Sequence, residues 1–315
     1  MEKRQLGQSD IIIPPLVFGG NVFGWSADEA TSFRLLDQLT EAGLTAIDTA
    51  DMYSVWADGH QGGESEAIIG RWLASRGGRD RHVIMTKVGM EMPDGKGLSA
   101  AWIKTSVERS LKRLQTDVID LYQAHKDDEE TPLEETLTAF ADLIKAGKVR
   151  AIGASNYTAP RLAEALKVSA AHGLPRYVSL QPHYNLVERP LFEGPLEDLC
   201  LAERLGVIPY FSLAAGFLTG KYRSKADLGK SAARGDGVAK YLDGRGPQVL
   251  AALDAIAGET GSTPGQVALA WLIARPSITA PIASASRTEQ MGDLVAATRL
   301  SLSSAQIAAL DQASA

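Results

Sequence analysis

Residues 112–125 read KRLQTDVIDLYQAH. Up to Leu114 the apolar residues keep a helical spacing; from Val118 onward their period drops to two or less. A helix therefore gives way to a short strand, and that strand ends on a histidine, His125. The strand is mostly apolar, as in a parallel sheet covered by helices.

The same alternation runs outward in both directions. Before it, strand signals at PLVFGG, TAIDT and HVIMTK alternate with helical patterns over 28–43, 64–76 and 99–114. After it, helical patterns over 132–146, 159–172 and 189–205 alternate with strands at VRAIGAS, YVSLQP and GVIPYFSL, and SITAPIAS is the eighth strand. A small hairpin, KRQLG and DIIIP around a turn, precedes the first unit. Local signals agree with this. Thr131-Pro132-Leu133-Glu134 reads as a capping threonine, a proline at the first helical position and a capping-box glutamate. KAGKV closes that helix on a glycine suited to the left-handed conformation.

Eight strand–helix units predict an α/β fold, a (β/α)8 TIM barrel over residues 1–315 as a single domain. An open doubly wound sheet would carry a G-x-G-x-x-G turn after its first strand, and none occurs. GFLTGKY has one residue too few between its glycines for a P-loop, and Tyr222 stands where Ser or Thr is required. The unit between strands seven and eight is irregular. A long, charged, glycine-rich loop over 221–246 leads into two helical patterns, 248–260 and 264–275. Such a loop at a strand's C-terminal end is a lid or binding loop. Extra helices start near Thr288 and Ser303, and no tail is expected to cover the mouth.

The bulk numbers exclude several classes. The chain has 315 residues, 45% apolar, 22% charged, with net charge -6. Nothing in this balance recruits nucleic acid. No apolar run reaches membrane-spanning length, and the first residues lack a signal peptide's apolar stretch. One cysteine, Cys200, precludes an internal disulfide and suits a reducing, cytoplasmic compartment. Its setting, LEDLCLAERLG, reads as a helix's apolar stripe.

In such a barrel the C-terminal strand ends converge on one face. Those ends bring Asp48 and Tyr53 after strand two, Lys87 at strand three, and His125 at strand four. They bring Ser155 and Asn156 at strand five, Gln181 at strand six, Phe211 and Ser212 at strand seven, and Ser284, Ser286 and Arg287 at strand eight. Each has an ordinary explanation: a turn residue, a structural histidine, a surface lysine. One active site explains them jointly. A phenol with its usual pKa near 10 is too weak an acid near neutrality; a neighbouring ammonium favours the phenolate, and a carboxylate compensates that ammonium in the interior. Asp48, Lys87 and Tyr53 thus make a tuned acid, and His125 can donate to a carbonyl oxygen and orient it, or share the proton transfer. This suits carbonyl reduction, provided hydride is delivered. No side chain delivers hydride, so a nicotinamide cofactor is implied.

At this point the chain resembles the aldo-keto reductases along nearly its whole length. The matching stretches are IDTADMYS, VIMTKVG, VIDLYQAHKDD, TPLEETLTAFADLIKAGKVRAIGASNY, SLQPHYNLVER, YFSLAAGFLTGKY and TPGQVALAWLI. The resemblance implies a (β/α)8 barrel that binds NADP(H) in an extended form, with NAD(H) as the alternative. It implies Tyr53 as general acid, tuned by Lys87 and Asp48, with His125 positioning the carbonyl. It implies Ser155, Asn156 and Gln181 at the nicotinamide carboxamide. Phe211 stands where the family usually stacks a tyrosine on the ring. Ser212, Leu213, Gly216 and Leu218 fall in the pyrophosphate segment, with Lys221 beside them. Ser284, Ser286, Arg287 and Gln290 fall where the 2′-phosphate and adenine are held. Two departures stand out: Ala283-Ser284 replaces the usual Pro-Gly or Lys-Ser opening, and Asp293 lies near a common Glu-Asn. Phe23, Trp25, Trp56 and Met90 are expected to line an apolar pocket for a small-molecule carbonyl substrate. Members occur as monomers and as higher assemblies, so a homo-oligomer stays open.

Two rivals remain. Potassium-channel β subunits resemble this pattern and serve a partner, so the chain could be an NADP(H)-binding regulatory or redox-sensing subunit; the lack of a long N-terminal segment speaks against it. A metal-dependent barrel hydrolase needs clustered ligands, whereas His60, His82, His172 and His183 are scattered and no metal is expected.

Overall fold

The computed structural model describes residues 2–230 and 235–315. Residues 231–234 of the loop expected over 221–246 lie outside them. A two-stranded hairpin, β1 (Arg4–Gln5) and β2 (Ile12–Ile13), opens the chain, as read from the sequence. Then come β3 (Val17–Gly19), α1 (Glu29–Ala42), β4 (Ala46–Asp48), α2 (Glu64–Arg76), β5 (Val83–Val88), α3 (Ala100–Leu114), β6 (Ile119–Ala124), α4 (Leu133–Lys145) and β7 (Val149–Ser155). They are followed by α5 (Ala159–His172), β8 (Ser179–Gln181), α6 (Pro195–Ala202), β9 (Gly206–Val207), α7 (Gly235–Val238), α8 (Gly246–Thr260), α9 (Pro264–Ala274), β10 (Ile282–Ala283), α10 (Met291–Ala297) and α11 (Ser304–Ala313).

Eight parallel strands pair in the order β10-β3-β4-β5-β6-β7-β8-β9. The ring closes between its last two members: Ile282 donates its N–H to Pro209 O at 2.8 Å, and Thr279 to Val207 O at 2.9 Å. This is the expected (β/α)8 barrel. No helix among the described residues is long and apolar enough to cross a membrane.

Strand alternation then sorts the interior into layers. Val17, Ala46, Met85, Leu121, Ala151, Ile208 and Ile282 form one buried apolar cluster inside the ring. Leu6, Ile11 and Ile13 of the hairpin segment join it and seal the floor. Two residues further along the same strands stand Gly19, Asp48, Lys87, Gln123, Gly153, Tyr210 and Ser284. The period of two thus sets a polar layer directly above a greasy one, at the rim where the strands end.

Two local readings need correction. Thr131 does not cap α4: its hydroxyl donates to Asp128 Oδ2 at 2.8 Å, and the helix starts after Pro132 with no side-chain cap. Asp128 already organises that loop by accepting from the Leu98 N–H, so it outcompetes the helix for Thr131. The helix expected over 189–205 is a 3-10 turn at Arg189–Leu191 and then the short α6. Gly194 at φ 91° and Pro195 break it, because proline supplies no N–H to the preceding turn. The closing glycine of α4 is as expected: Gly147 sits at φ 72°.

Candidate active site

Each tetrad member arrives on a pinned backbone. Asp48 ends β4, and beyond it the Thr49 N–H donates to Met85 O at 2.8 Å and the Asp51 N–H to Lys87 O at 3.1 Å. His125 follows β6, its N–H on Val88 O at 2.8 Å. Tyr53 rides in a turn locked by Ser54, whose hydroxyl donates to Phe23 O at 2.7 Å and whose φ is 76°.

Lys87 is fully buried and spends all three ammonium protons: on Asp48 Oδ2 at 2.6 Å, Thr49 O at 2.8 Å and Tyr53 OH at 2.9 Å. Burial pushes its pKa down; Asp48 and Tyr53 outweigh that and hold it above its ordinary value. The lysine is therefore a fixed cation. A phenol oxygen that accepts from it keeps its own O–H for another acceptor. The His125 ring lies edge-on to Tyr53, centroids 5.9 Å apart. Its pKa is held well below the usual imidazole value, by burial first and then by Lys87 and Lys126, so the ring is neutral near pH 7. Its Nδ1 is buried with no hydrogen-bond partner among the described residues.

Trp56 packs 5.9 Å from the Tyr53 ring and 5.5 Å from Trp25, and is 42% exposed. Met90 is half-buried just past β5. Phe23 departs from expectation: it is fully buried, stacked on Phe18 at 5.5 Å, and supports the Tyr53 turn through its carbonyl instead of lining a pocket.

Across the mouth, the Ser155 hydroxyl donates to Gln181 O at 2.9 Å. Asn156, at φ 56°, donates to His125 O at 2.9 Å and accepts from Tyr210 OH at 2.8 Å. Gln181 Nε2 donates to Asp48 Oδ1 at 3.0 Å and to Gln123 Oε1 at 3.1 Å. Phe211 is 44% exposed at φ 53°, an aromatic face open at the rim. Past Leu213, at φ -106°, the chain turns left-handed again at Ala214, Ala215 and Gly216, with φ 48°, 56° and 95°. Left-handed non-glycine residues cost energy and gather where a ligand must be clamped. Ser212 is buried, its hydroxyl on Pro209 O at 3.1 Å, and Leu213 is half-buried. The Lys221 ammonium rests against Gly216, where a Cβ would come within 3.1 Å of it. Leu218 is a second departure: it is fully buried in the core and its N–H is committed to Leu213 O at 3.2 Å.

At the far end the Ser284 hydroxyl donates to Asn21 Oδ1 at 2.7 Å. Gln290 Oε1 accepts from the N–H groups of Ser286 at 2.9 Å and Arg287 at 3.2 Å, so its oxygen shapes the loop. Arg287 forms no salt bridge among the described residues. Among the described residues the rim thus offers an open aromatic face, a left-handed clamp beside an ammonium and a guanidinium without a salt bridge, groups able to hold a phosphate-bearing ligand. No group of three or more His, Cys, Asp or Glu among the described residues is placed to hold a metal.

Sequence reasoning missed Gln123, Tyr210 and Asp51. Gln123 carried a signal of position only, as the inward residue two before His125. Tyr210 adjoins Phe211. Asp51 stands out as a second carboxylate beside Asp48 and Tyr53, but nothing in the sequence gives it a role: it is buried, neither carboxyl oxygen has a side-chain hydrogen-bond partner among the described residues, and burial first, then Glu66, raises its pKa to about 8.

The chain belongs to the aldo/keto reductase family, whose model matches residues 15–315. Curated relatives agree along both chains' lengths. It is similar to an uncharacterized oxidoreductase, YrpG, of Bacillus subtilis, 35% identical over 96% of this chain and 92% of that one. It is similar to the protein tas of Escherichia coli, 31% identical over 99% and 97%. It is also similar to the L-glyceraldehyde 3-phosphate reductase of Escherichia coli, 30% identical over 99% and 92%. The fold and the family together define an oxidoreductase.

Proposed function

We propose that this chain reduces aldehydes or ketones to alcohols with NADP(H), Tyr53 acting as general acid. One observation carries the reading: a fully buried Lys87 ammonium bridges Asp48 and Tyr53 at 2.6 and 2.9 Å. A nicotinamide cofactor, when bound, supplies the hydride. Everything else falls to side chains. The neutral His125 ring orients the carbonyl oxygen beside the phenol. Tyr53 gives its proton to that oxygen as negative charge develops there, and the fixed Lys87 cation stabilises the phenolate left behind. Trp25, Trp56 and Met90 shield the carbonyl's apolar part from water. Ser155, Asn156 and Gln181 hold the carboxamide, Phe211 stacks on the ring, and Ser212, Leu213, Gly216 and Lys221 line the pyrophosphate. Ser284, Ser286 and Arg287 meet the 2′-phosphate, which is the reason to prefer NADP(H) to NAD(H). Residues 1–315 act as one domain in a reducing cytoplasm, where burial and Glu197 push the Cys200 thiol up to about 12.

The test is a fluorescence titration with NADPH and with NADH. A panel of aldehydes, quinones, α-dicarbonyls and small phosphorylated aldehydes follows; the last are prompted by the relative named for glyceraldehyde 3-phosphate. Tyr53→Phe is expected to bind NADPH as before while carbonyl reduction falls by about a hundredfold or more. Undiminished turnover would remove Tyr53 as the acid. Tight NADPH binding with no turnover anywhere on the panel would favour a regulatory subunit instead.

A further inference from the structure

Asp48 has two carboxylate oxygens, and the tetrad uses only one. Oδ2 meets Lys87 at 2.6 Å. Oδ1 faces the opposite way, across the barrel interior, and accepts from Gln123 Nε2 at 3.1 Å and Gln181 Nε2 at 3.0 Å. The Gln181 amide also donates to Gln123 Oε1 at 3.1 Å. All three side chains are buried. A carboxylate accepts only, so both amides must turn nitrogen toward Asp48. Gln123 then has its oxygen left over, and that oxygen lies on Gln181. With its nitrogen committed inward, Gln181 turns its own oxygen the other way.

The backbone is built for this crossing. Gln123 on β6 is the register partner of Lys87 on β5, and Gln181 on β8 is the register partner of Ser155 on β7. Between them, β7 offers Gly153, where a Cβ would stand 2.4 Å from Ser179 Oγ and 3.2 Å from Gln123 Cγ. Any side chain there would crowd the stem of Gln123. The glycine leaves the passage through which the amide reaches Asp48.

We infer that Gln123 is a positioning residue: its amide joins Asp48 to Gln181, so that the seat of the cofactor's carboxamide and the acid-tuning ion pair form one hydrogen-bonded unit. The inference rests on the proposed reductase reading, because it gives Gln181 the cofactor and Asp48 the acid. It adds that the two are coupled. Removing the amide leaves Asp48 Oδ1 with one donor in place of two, and Gln181 Nε2 with one acceptor in place of two. Both ends loosen together: the ion pair that sets Tyr53, and the oxygen offered to the carboxamide.

The experiment compares wild type, Gln123→Leu and Gln123→Glu, with NADPH affinity read by fluorescence and reduction read as kcat and KM over pH. Gln123→Leu is expected to lower kcat about tenfold and weaken NADPH about threefold, while the carbonyl's KM stays within about twofold. A merely structural role would not produce that split. Gln123→Glu supplies a second test if the leucine variant folds poorly. A protonated Glu keeps one donor for Asp48 and one acceptor for Gln181, whereas an ionised one repels Asp48. Its activity relative to wild type is therefore expected to be near full at about pH 5 and to fall about tenfold by about pH 8. The titratable groups around the unit are Asp48, Asp51 and Tyr53 from β4 and its turn, Lys87 from β5, His125 beyond β6 and Tyr210 beyond β9. All are present in wild type, so the ratio between the two proteins isolates position 123. Wild-type kcat and NADPH affinity in Gln123→Leu, or a Gln123→Glu profile parallel to wild type, would overturn the inference. If wild type binds NADPH but reduces nothing, the reductase reading fails by itself, and the NADPH affinity of Gln123→Leu still decides the coupling.

Discussion

Asp51 is the residue whose cost the fold bears most openly. Its carboxyl is buried among Glu66, Arg113 and Lys87, and burial pushes its pKa up to about 8 from an ordinary 3.8. Between those values the unfolded chain has released a proton that the folded chain retains. The contribution to stability is therefore whole below about pH 4, declines as pH climbs toward 8, and is gone above. Asp51→Asn removes this dependence. Its unfolding free energy is expected to change less with pH than wild type's between those limits, the difference approaching about 1.4 kcal/mol per unit at most. Urea melts at the two ends of the window check it, and parallel slopes would show that Asp51 ionises in the folded chain. At this scale the sequence was legible where chemistry demands a residue type. Asp48, Tyr53, Lys87 and His125 announced themselves as polar ends of apolar strands. Gln123 did not, because a glutamine inside a strand has many ordinary reasons to be there. Leu218 and Phe23 were misplaced because a motif gives chain position and not the direction a side chain takes.

Helices pack where glycine lets them. Gly70 on α2 lies so close to α3 that a Cβ would sit 2.0 Å from the Arg113 carbonyl oxygen. Arg113 also pairs with the buried Glu66 at 2.7 Å, and Glu66 accepts from Thr86 at 2.6 Å. Gly70→Ala must therefore move α3 or break that pair, and is expected to cost about 2–4 kcal/mol. Gly258 on α8 meets nothing within 4 Å. Gly258→Ala is expected to stabilise the chain by about 0.5–1 kcal/mol, since helical glycine is the more costly residue to order. Thermal or urea melts of the pair measure both, and equal signs would refute the packing argument. Both glycines look alike in the sequence; only the neighbour across the helix interface separates them. Helix bounds matched for α2 and α5; at α5 a Thr158 cap and the closing Gly173 agree with the apolar period. They failed at Thr131 and at residues 189–205, where the neighbouring Asp128 carboxylate and a Gly-Pro step prevailed.

The whole molecule is a ring joined where β10 meets β3 and β9. Arg4 strengthens this seam, donating from one guanidinium nitrogen to Ile273 O at 3.1 Å, Ile278 O at 3.3 Å and Thr279 O at 3.1 Å. A chain truncated before Ile282 leaves the flanking strands of β10 unpaired. It is expected to be cleaved by protease at least about tenfold faster than the full chain under native conditions. Equal lifetimes would mean that the seam contributes little. The barrel itself was legible because eight short apolar runs alternate with helical periods. The seam was not, since at β3 and β10 it joins Val17 to Ile282, far apart in the chain. It has a consequence for biosynthesis. Translation delivers the first stave long before its final mate. In between, the nascent polypeptide must keep a greasy lumen and two raw hydrogen-bonding margins from sticking to other chains. A chaperone that shields these surfaces during synthesis would then raise the recovery of folded chain.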